Sequence, residues 1–257
     1  MAVQLSLRGA VGELVLDRPD RRNALDDDMV AELAGSLDRA EREGVRALIV
    51  HGAGKGFCAG RDLAGAEPGT EDAERILAGT FNPLVLRLAM FPAPTFAAVH
   101  GAALGVGLGL ALACDVVYAA DDAQVGSPFA RIGAVLDSGG HTHLVGRIGP
   151  HRALELIYTG RLLSGVEAAA WGLVNASVPP AELMDRVRAL AAQVAEGPTA
   201  AFRLSKRLVH DMEAHGWGLE RVLAAEAAAQ GVASRTHDYA EGIGAFQERR
   251  PPTFSGR

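Results

Sequence analysis

The sequence contains little cysteine and lacks an excess of positive charge. Its two cysteines, Cys58 and Cys114, both stand inside apolar runs, which predicts buried free thiols in a reducing compartment rather than a disulfide framework. The 25 basic residues are outnumbered by 31 acidic residues, which gives a formal net charge of -6. Because the sequence has no basic tract to hold a phosphate backbone, we expect no nucleic-acid partner.

A long uninterrupted apolar run is also lacking. The longest run, residues 94–113, is broken by His100 and by several glycines, so it predicts a buried strand and helix rather than a membrane span. The first residues show no charged segment followed by an apolar core, and we therefore expect no signal peptide and a cytoplasmic protein. No cluster of histidine, cysteine and carboxylate residues has metal-ligand spacing, so we expect neither a metal nor a separate cofactor.

Short apolar runs alternate with helical patterns through the first two thirds of the chain. Residues 12–17, 45–50, 95–99 and 115–119 are strand-like. Residues 26–43 carry a helical apolar stripe and open with three aspartates, which is typical of a helix N-terminus. This alternation predicts an α/β fold with buried strands.

The character of the sequence changes after about residue 180, where strand signals cease. Four helical stretches follow, at residues 180–196, 198–213, 217–231 and 236–248. They are rich in alanine and have no evident core of their own, which favours packing against a partner subunit. We predict two regions, a core over residues 1–196 that holds the site and a helical oligomerisation region over residues 197–257.

Two glycine-rich segments are candidates for binding a ligand through backbone N–H groups. Residues 54–63 (GKGFCAGRDL) follow a strand, and their glycines would let backbone N–H groups approach a ligand closely. A plain turn with a structural Asp62 explains this segment equally well. Residues 100–115 (HGAALGVGLGLALACD) lead from a strand into an apolar helix, whose first N–H groups could stabilise an anion or an oxyanion.

The second segment has two other interpretations. Gly105, Gly107 and Gly109 give the spacing GxGxG, which fits poorly to the GxGxxG pattern of a dinucleotide-binding turn. The same glycines could also serve close packing of a helix on a strand, and this must be partly true. The functional interpretation gains weight from the combination of the two segments.

In this order and spacing, the two segments resemble the enoyl-CoA hydratase/isomerase (crotonase) superfamily, and the resemblance runs nearly from end to end. It includes RPDRRNAL, AGRDL, HGAALGVGLGLALACD, IGAVLDSGGHTHLVGRIG, TGRLLSGVEAAAWGLVN and EGIGAFQERRPPTF. The resemblance implies a crotonase (ClpP-like) spiral of ββα repeats, a C-terminal helical trimerisation region, homotrimers or dimers of trimers, and acyl-CoA thioester substrates.

Matched residue by residue, the family's two oxyanion donors fall on the backbone N–H groups of Arg61 and Val106. Coenzyme A, as part of the substrate, would be held by residues from the start, the middle and the end of the chain. These residues are Arg22, Ala24, Ala59, Asp62, Leu63, Phe246 and Arg249. The last two match an aromatic and basic pair that reaches the CoA of a neighbouring subunit.

The sequence departs from the hydratases of this family at both catalytic glutamates. A hydratase needs two carboxylates, one to activate water and one to handle the α-proton. Gly109 stands at the first of these positions and Phe129 at the second. Neither residue can move a proton, so we do not expect an ordinary water-adding hydratase. Phe129 would instead line a dry acyl pocket.

One acid, Asp137, remains near the expected acyl group. On the residues alone it could equally be the N-cap of the next helix. The family's isomerases that lack both glutamates use an aspartate here, and the pattern is most similar to the ring-1,2-epoxyphenylacetyl-CoA isomerase subfamily. That subfamily tends to have proline where Leu136 stands and asparagine where His100 stands.

Three functions follow from these residues. The first is an acyl-CoA isomerase with Asp137 as its base. The second is an enoyl-CoA hydratase in which Asp137 or His141 holds water, although His141 could also be a solvent-facing helix residue. The third is a non-catalytic acyl-CoA carrier, which would keep both oxyanion segments but would have no use for Asp137.

Overall fold

The computed structural model describes residues 1–67 and 69–257. The chain begins with a hairpin of strands β1 (Val3–Arg8) and β2 (Val11–Leu16). Helix α1 (Asp27–Arg42) then crosses to β3 (Ala47–Gly52), which pairs with β2 in parallel. The carboxylate of Asp26 accepts the N–H of Met29 at 2.9 Å, so the acidic run begins this helix as the sequence predicts.

Two sheets form the core. The larger sheet continues with β4 (Thr95–Val99), β6 (Val116–Ala120) and β9 (Ala176–Val178), in the strand order β1-β2-β3-β4-β6-β9. The smaller contains β5 (Ala102–Leu104), β7 (Gln124–Gly126) and β8 (Leu163–Ser164), in the order β5-β7-β8. The chain passes from β4 to β5 and from β6 to β7, so it winds repeatedly from the large sheet to the small one.

The remaining helices surround these sheets. Their bounds are α2 Ala73–Ile76, α3 Asn82–Ala89, α4 Val106–Ala113, α5 Gly140–Thr159, α6 Gly165–Trp171, α7 Leu183–Ala195, α8 Thr199–His215, α9 Leu219–Ala233 and α10 His237–Glu248. A π-helical turn at Leu77–Phe81 joins α2 to α3. Helix α5 is kinked at Gly149, just before Pro150. In the part of the chain that the structure describes, no helix is long and apolar enough to span a membrane.

The four strands expected from the sequence are present as β2, β3, β4 and β6, with ends shifted by one or two residues. The other five strands have no counterpart in the sequence prediction. β5, β7, β8 and β9 have only two or three residues each, too few for an alternation to be recognised. β1 (VQLSLR) does alternate apolar and polar residues, so its pattern was readable in the sequence and was missed.

Helix α7 contributes buried Leu183, Val187 and Ala191 to the core, whereas α8 and α9 each bury a single residue. Large apolar side chains on the last three helices are exposed. They are Val209, Met212, Leu219, Leu223, Val232, Tyr239, Ile243 and Phe246. The predicted division at residue 196 and the oligomerisation role of the last helices stay predictions.

Arg46, the residue before β3, links the core to the chain at both ends of the last three helices. The guanidinium of Arg46 donates to the Thr199 hydroxyl at 3.0 Å, to the Phe254 carbonyl at 3.1 Å and to the Gly197 carbonyl at 2.6 Å. Further along, the carboxylate of Asp238 accepts the N–H groups of Ser255 and Gly256, both at 2.7 Å.

We expect Asp238→Ala to lower the free energy of unfolding by about 2–3 kcal/mol at neutral pH, because the side chain is 1% exposed and its loss leaves the N–H groups of Ser255 and Gly256 without their acceptor. Burial alone would raise the pKa of Asp238, but the hydrogen bonds from Ser255 and Gly256 outweigh it and hold the pKa below its ordinary value. This contribution is therefore lost as the pH falls through the lowered pKa, and the difference from wild type should shrink in acid.

Urea unfolding of the variant from pH 7 down to pH 3 would measure both effects. Asp122→Ala, at an exposed aspartate, serves as the matched control and should leave the midpoint unchanged. An equal loss of stability in both variants would contradict the assigned role of Asp238.

Candidate functional site

The two glycine-rich segments lie side by side, joined by backbone hydrogen bonds. The N–H of Cys58 donates to the Ala102 carbonyl at 2.9 Å, and the Cys58 carbonyl accepts the N–H of Leu104 at 3.0 Å. Strand β5 therefore extends the Cys58 segment by a short parallel bridge before the chain enters α4. The sequence predicted that both segments present backbone N–H groups to a ligand. The structure brings the two segments into direct contact.

Glycines make this contact sterically feasible. A Cβ on Gly107, in the first turn of α4, would lie 2.4 Å from the carbonyl oxygen of Cys58. A Cβ on Gly60, whose φ is +100°, would lie 2.9 Å from the carbonyl oxygen of Leu104. Both distances are too short for real side chains, so the interpretation of these glycines as close-packing residues is correct and accompanies any functional one.

Neither the Arg61 N–H nor the Val106 N–H has a backbone acceptor in the described parts of the chain. On either side of Arg61, the Gly60 carbonyl accepts the N–H of Leu25 and the N–H of Asp62 donates to the Leu25 carbonyl, both at 2.8 Å. Across residues 1–67 and 69–257, no acceptor is recorded for the Arg61 N–H. Val106 begins α4, so its N–H belongs to the first turn, where helical partners are lacking.

The guanidinium of Arg61 reaches the loop that precedes α2. It forms a two-point ion pair with Glu71, with one N–O distance of 2.8 Å. A cavity of about 260 Å³ lies beside it, lined by Leu25, Asp26, Asp27, Arg61, Asp62, Ala64, Gly65, Ala66 and Phe81. The predicted binding residue Asp62 thus lines the same cavity as Arg61, while Leu63 is exposed beside it.

The segment Arg22–Ala24 joins the same backbone cluster. Arg22 is exposed and has left-handed backbone geometry, with φ at +52°, and its carbonyl accepts the N–H of Ala59 at 3.0 Å. Ala24 is half-buried, and its carbonyl accepts a hydrogen bond from the Arg18 guanidinium at 2.8 Å. The structure therefore brings Arg22, Ala24 and Ala59 together at the edge of the glycine-rich loop.

Sequence reasoning missed Asn23, the residue that fixes this segment. It is fully buried, and its φ is +56°. Its amide donates to the carbonyls of Ala53 at 2.9 Å and Gly56 at 2.8 Å and accepts the Arg18 N–H at 2.8 Å. An asparagine after two arginines was a usable signal, because asparagine tolerates left-handed backbone and hydrogen-bonds nearby turns.

Asp62 does bond locally, as the alternative interpretation of its segment proposed. Its carboxylate accepts the N–H of Ala64 at 3.1 Å and pairs with Arg18 at 3.2 Å. The hydrogen bond from Ala64 contributes most to a pKa of Asp62 below the ordinary value, with Arg18 adding to it. Asp62 is thus an ionised structural residue of the loop, whose backbone remains available to a ligand.

Asp137 is not a helix cap. The N-cap of α5 is Gly139, which has no side chain to cap with, and the Asp137 carbonyl, not its carboxylate, accepts the Gly140 N–H at 2.8 Å. The recorded partner of the half-buried carboxylate is the hydroxyl of Ser138, which donates to Oδ1 at 2.8 Å. The capping interpretation of Asp137 is therefore wrong, because the helix begins two residues too late for it.

Burial raises the pKa of the Asp137 carboxyl above its ordinary value, although the Ser138 hydroxyl and the positive charge of Arg61 act in the opposite direction. Partial burial disfavours the ionised form of a carboxyl, and here burial outweighs the opposing influence of Arg61. The influence of Arg61 also indicates that the Asp137 loop lies near the first glycine-rich segment. Such a carboxyl is better suited to take up and return a proton than an exposed one.

Gly109 and Phe129 both lie where helix α4 meets its neighbouring loops. A Cβ on Gly109 would be 2.5 Å from the carbonyl oxygen and 2.7 Å from the Cβ of Ser138. The Asp137 loop therefore occupies the space into which a side chain at position 109 would project. The ring of Phe129 packs on Gly105, whose added Cβ would be 3.1 Å from its Cε1, so the ring lies next to the start of α4.

The structure accommodates the leucine that precedes Asp137, where the subfamily tends to have proline. Leu136 is buried, and its side chain packs against Gly140, where an added Cβ would be 2.7 Å away. His100, the other departure, bonds the Gly54 carbonyl through Nε2 at 3.0 Å. Both changes are absorbed by local packing and hydrogen bonding.

The remaining predicted residues lie at the end of α10 and in the first turn of α5. Phe246 is 83% exposed, and Arg249 ends α10 with φ at +55°, so their predicted contact with a neighbouring subunit's CoA stays a prediction. His141 is exposed. Burial lowers the pKa of His143 to about 4, with the charge of Arg147 adding to the effect.

Neither cysteine is a nucleophile. Both are buried and unpaired, as predicted, and burial raises the pKa of each thiol to about 12. Within the described ranges, no group of three or more His, Cys, Asp or Glu side chains is arranged to hold a metal ion.

Known proteins resemble this chain along its whole length. The family described as enoyl-CoA hydratase/isomerase matches residues 7–257. The 1,2-epoxyphenylacetyl-CoA isomerase of Escherichia coli is 38% identical over 253 residues, which is 95% of this chain and 94% of that protein. The human mitochondrial enoyl-CoA hydratase domain-containing protein 2 is 39% identical over 258 residues, covering 96% of this chain and 86% of that protein.

Among solved structures, the enoyl-CoA hydratase of Bacillus anthracis superimposes with a TM-score of 0.92 at 32% identity, and both chains are covered completely. The relatives thus include proteins named as hydratases and one named as an isomerase. Fold membership therefore does not decide between the two reactions, which depend on the side chains of the site.

We expect Gly109→Ala to be destabilising by about 1–3 kcal/mol, because even a methyl group would collide with the backbone of Ser138. The matched control is Gly146→Ala, within α5, where an added Cβ meets nothing within 4 Å. That control should leave stability unchanged or raise it slightly, since alanine is favoured over glycine in helices.

The urea unfolding midpoints of Gly109→Ala and Gly146→Ala, compared with that of wild type, measure the two effects. A Gly109→Ala variant as stable as wild type would contradict the close contact between α4 and the Asp137 loop.

Proposed function

The chain belongs to the enoyl-CoA hydratase/isomerase family and has its crotonase fold, both as predicted, and from this membership we propose that it is an acyl-CoA isomerase. The reaction would shift a double bond from the 3,4 to the 2,3 position, or rearrange the ring epoxide of an aromatic acyl-CoA. The observation that carries the proposal is Asp137, a half-buried carboxylate with a raised pKa that caps no helix.

The first element of the mechanism is stabilisation of a thioester enolate. The N–H groups of Arg61 and Val106 would receive the thioester oxygen, since both come from segments held rigidly against each other. Donors fixed in advance stabilise the enolate oxygen more than the neutral carbonyl, and they thereby lower the barrier to removal of the α-proton. In an unrelated enzyme with an oxyanion hole, loss of one such donor costs on the order of 3–4 kcal/mol.

The second element is proton transfer by one carboxylate. Asp137 would remove a proton from C2 of a 3-enoyl thioester, which gives a dienolate, and would return a proton at C4. The same group serves both steps because no water is added to the substrate. A raised pKa makes the carboxylate a stronger base for the first of these steps.

The third element is the lack of a water-activating acid at either family position. Gly109 is packed against Ser138, and Phe129 packs on Gly105. An apolar ring beside the N–H of Val106 would exclude water from the acyl group and favour return of the proton over hydration. This arrangement suits a cyclic or aromatic acyl group.

Two other functions are kept as alternatives. Hydration is favoured by the names of several relatives, with Asp137 or the exposed His141 as the group that would hold water. A carrier would bind acyl-CoA through the same backbone donors and turn nothing over. Turnover of defined acyl-CoA esters separates all three functions.

We also propose that the chain assembles as a homotrimer or a dimer of trimers through its last three helices. The support is the row of exposed apolar side chains on α8–α10, which a monomer would leave in water. Phe246 and Arg249, at the exposed end of α10, would then be free to meet the CoA of a neighbouring subunit.

The decisive experiment compares wild type with Asp137→Asn, a change of nearly equal shape. We expect the variant to lose isomerisation of 3-enoyl-CoA by about 10²- to 10⁴-fold, which is the usual contribution of a general base. Its affinity for a saturated acyl-CoA, measured by calorimetry, should change little.

Full activity of Asp137→Asn would contradict the assignment. In the same assay, rapid hydration of 2-enoyl-CoA by wild type would favour a hydratase, and binding without any turnover would favour a carrier. Products are followed by mass and ultraviolet absorbance in deuterated water.

The assembly is tested by sedimentation of wild type and Leu223→Glu. We expect wild type to sediment as three or six protomers, and the variant to dissociate toward smaller species because a charge enters an apolar contact. Gln230→Glu, at an exposed polar position on α9, is the control and should sediment as wild type. A monomeric wild type would contradict the proposal.

A further inference from the structure

We infer that Ser138 is a positioning residue for the base, which holds Oδ1 of Asp137 with its hydroxyl and so assigns proton exchange with the substrate to Oδ2. This inference rests on the proposed function of Asp137. It deepens that proposal by adding a residue that does not itself touch the reacting atoms.

The first observation is the hydrogen bond itself. The Ser138 hydroxyl donates to Oδ1 of Asp137 at 2.8 Å, and Ser138 is 3% exposed. In the described parts of the chain, no other hydrogen bond to this carboxylate is recorded, so Oδ2 stays available. Once the serine proton is committed to Oδ1, the remaining lone pairs that face the site belong mostly to Oδ2.

The second observation is that the hydroxyl has little freedom to move. The carbonyl oxygen and Cβ of Ser138 press against the position of Gly109 on α4. On the other side, the Gly140 N–H donates to the Asp137 carbonyl at 2.8 Å at the start of α5. The backbone on both sides of the serine is therefore fixed, and its Oγ can move only by rotation about the Cα–Cβ bond.

The third observation concerns the backbone of Ser138, whose φ is +53°. Glycine adopts this conformation at less cost than serine, and asparagine also tolerates it. A residue needed only to form the turn would be served better by glycine. Serine at this position is explained by the one group that glycine lacks, its hydroxyl.

The hydroxyl has a chemical consequence with a definite sign. Donation to a carboxylate stabilises the ionised form, which opposes the effect of burial on the pKa of Asp137. Removal of the donor should therefore raise that pKa further. Since the base acts in its ionised form, the acid limb of kcat/KM should move to higher pH.

The experiment compares two variants, Ser138→Gly and Ser138→Ala, in 3-enoyl-CoA isomerisation. Both lack the hydroxyl, but glycine relaxes the strained backbone while alanine keeps the Cβ against Gly109. We expect both to move the acid limb of the kcat/KM profile upward by about one pH unit, whatever their effect on stability. Ser127→Ala, which removes another buried serine hydroxyl, is the control and should keep the wild-type profile.

A second measurement does not depend on catalysis. The carboxyl ¹³C resonance of Asp137 can be titrated in wild type and in Ser138→Gly, and the midpoint should rise by the same amount. This reading also serves if Ser138→Ala folds poorly.

Unchanged acid limbs and an unchanged titration in the variants would overturn the inference. A shift in Ser138→Ala without one in Ser138→Gly would also overturn it, because backbone strain would then be the cause. Failure of the proposed function looks different, since Asp137→Asn would itself be active. An inactive Asp137→Asn combined with unshifted Ser138 variants removes the role of the serine alone.

Discussion

The close approach of two backbone segments is the constraint on which the rest of the site depends. Cys58 lies against the first turn of α4 so tightly that Gly107 has no room for a side chain. The two hydrogen bonds between Cys58 and strand β5 fix the register in which the two segments pair. The N–H groups of Arg61 and Val106 inherit their positions from this contact, so their geometry is set by packing and not by side-chain rotamers.

Helix α4 repeats the same principle one turn later. Gly109 admits the backbone of Ser138, and this brings the loop of Asp137 onto the helix. A large acidic side chain at position 109 and this position of the loop exclude each other sterically. The glycine at position 109 and the position of the Asp137 loop are therefore two aspects of one packing arrangement.

β2, β3, β4, β6 and the helices from α7 onward could be predicted, because each has enough residues for a period to be read. Length alone is not sufficient, since α5 has 20 residues but is interrupted by a kink at Gly149 and was not predicted. Short strands such as β5 and β7 could not, since their pairing depends on distant segments. At the site, the glycine segments and the isolated Asp137 were found from residue patterns together with the family resemblance. The contact between Ser138 and Gly109 and the buried bonds of Asn23 are tertiary features, which no local pattern encodes.

A cysteine thiol lies at each end of helix α4, although only one of the two cysteines adjoins it in sequence. Cys58 packs against its first turn and Cys114 is its C-terminal cap residue, and both are buried. Since a buried thiol reacts with alkylating reagents only when the surrounding structure opens, the two modification rates report local openings at the two ends of one helix. The chain thus contains its own pair of kinetic probes, one for the backbone contact that supports the site and one as an internal reference.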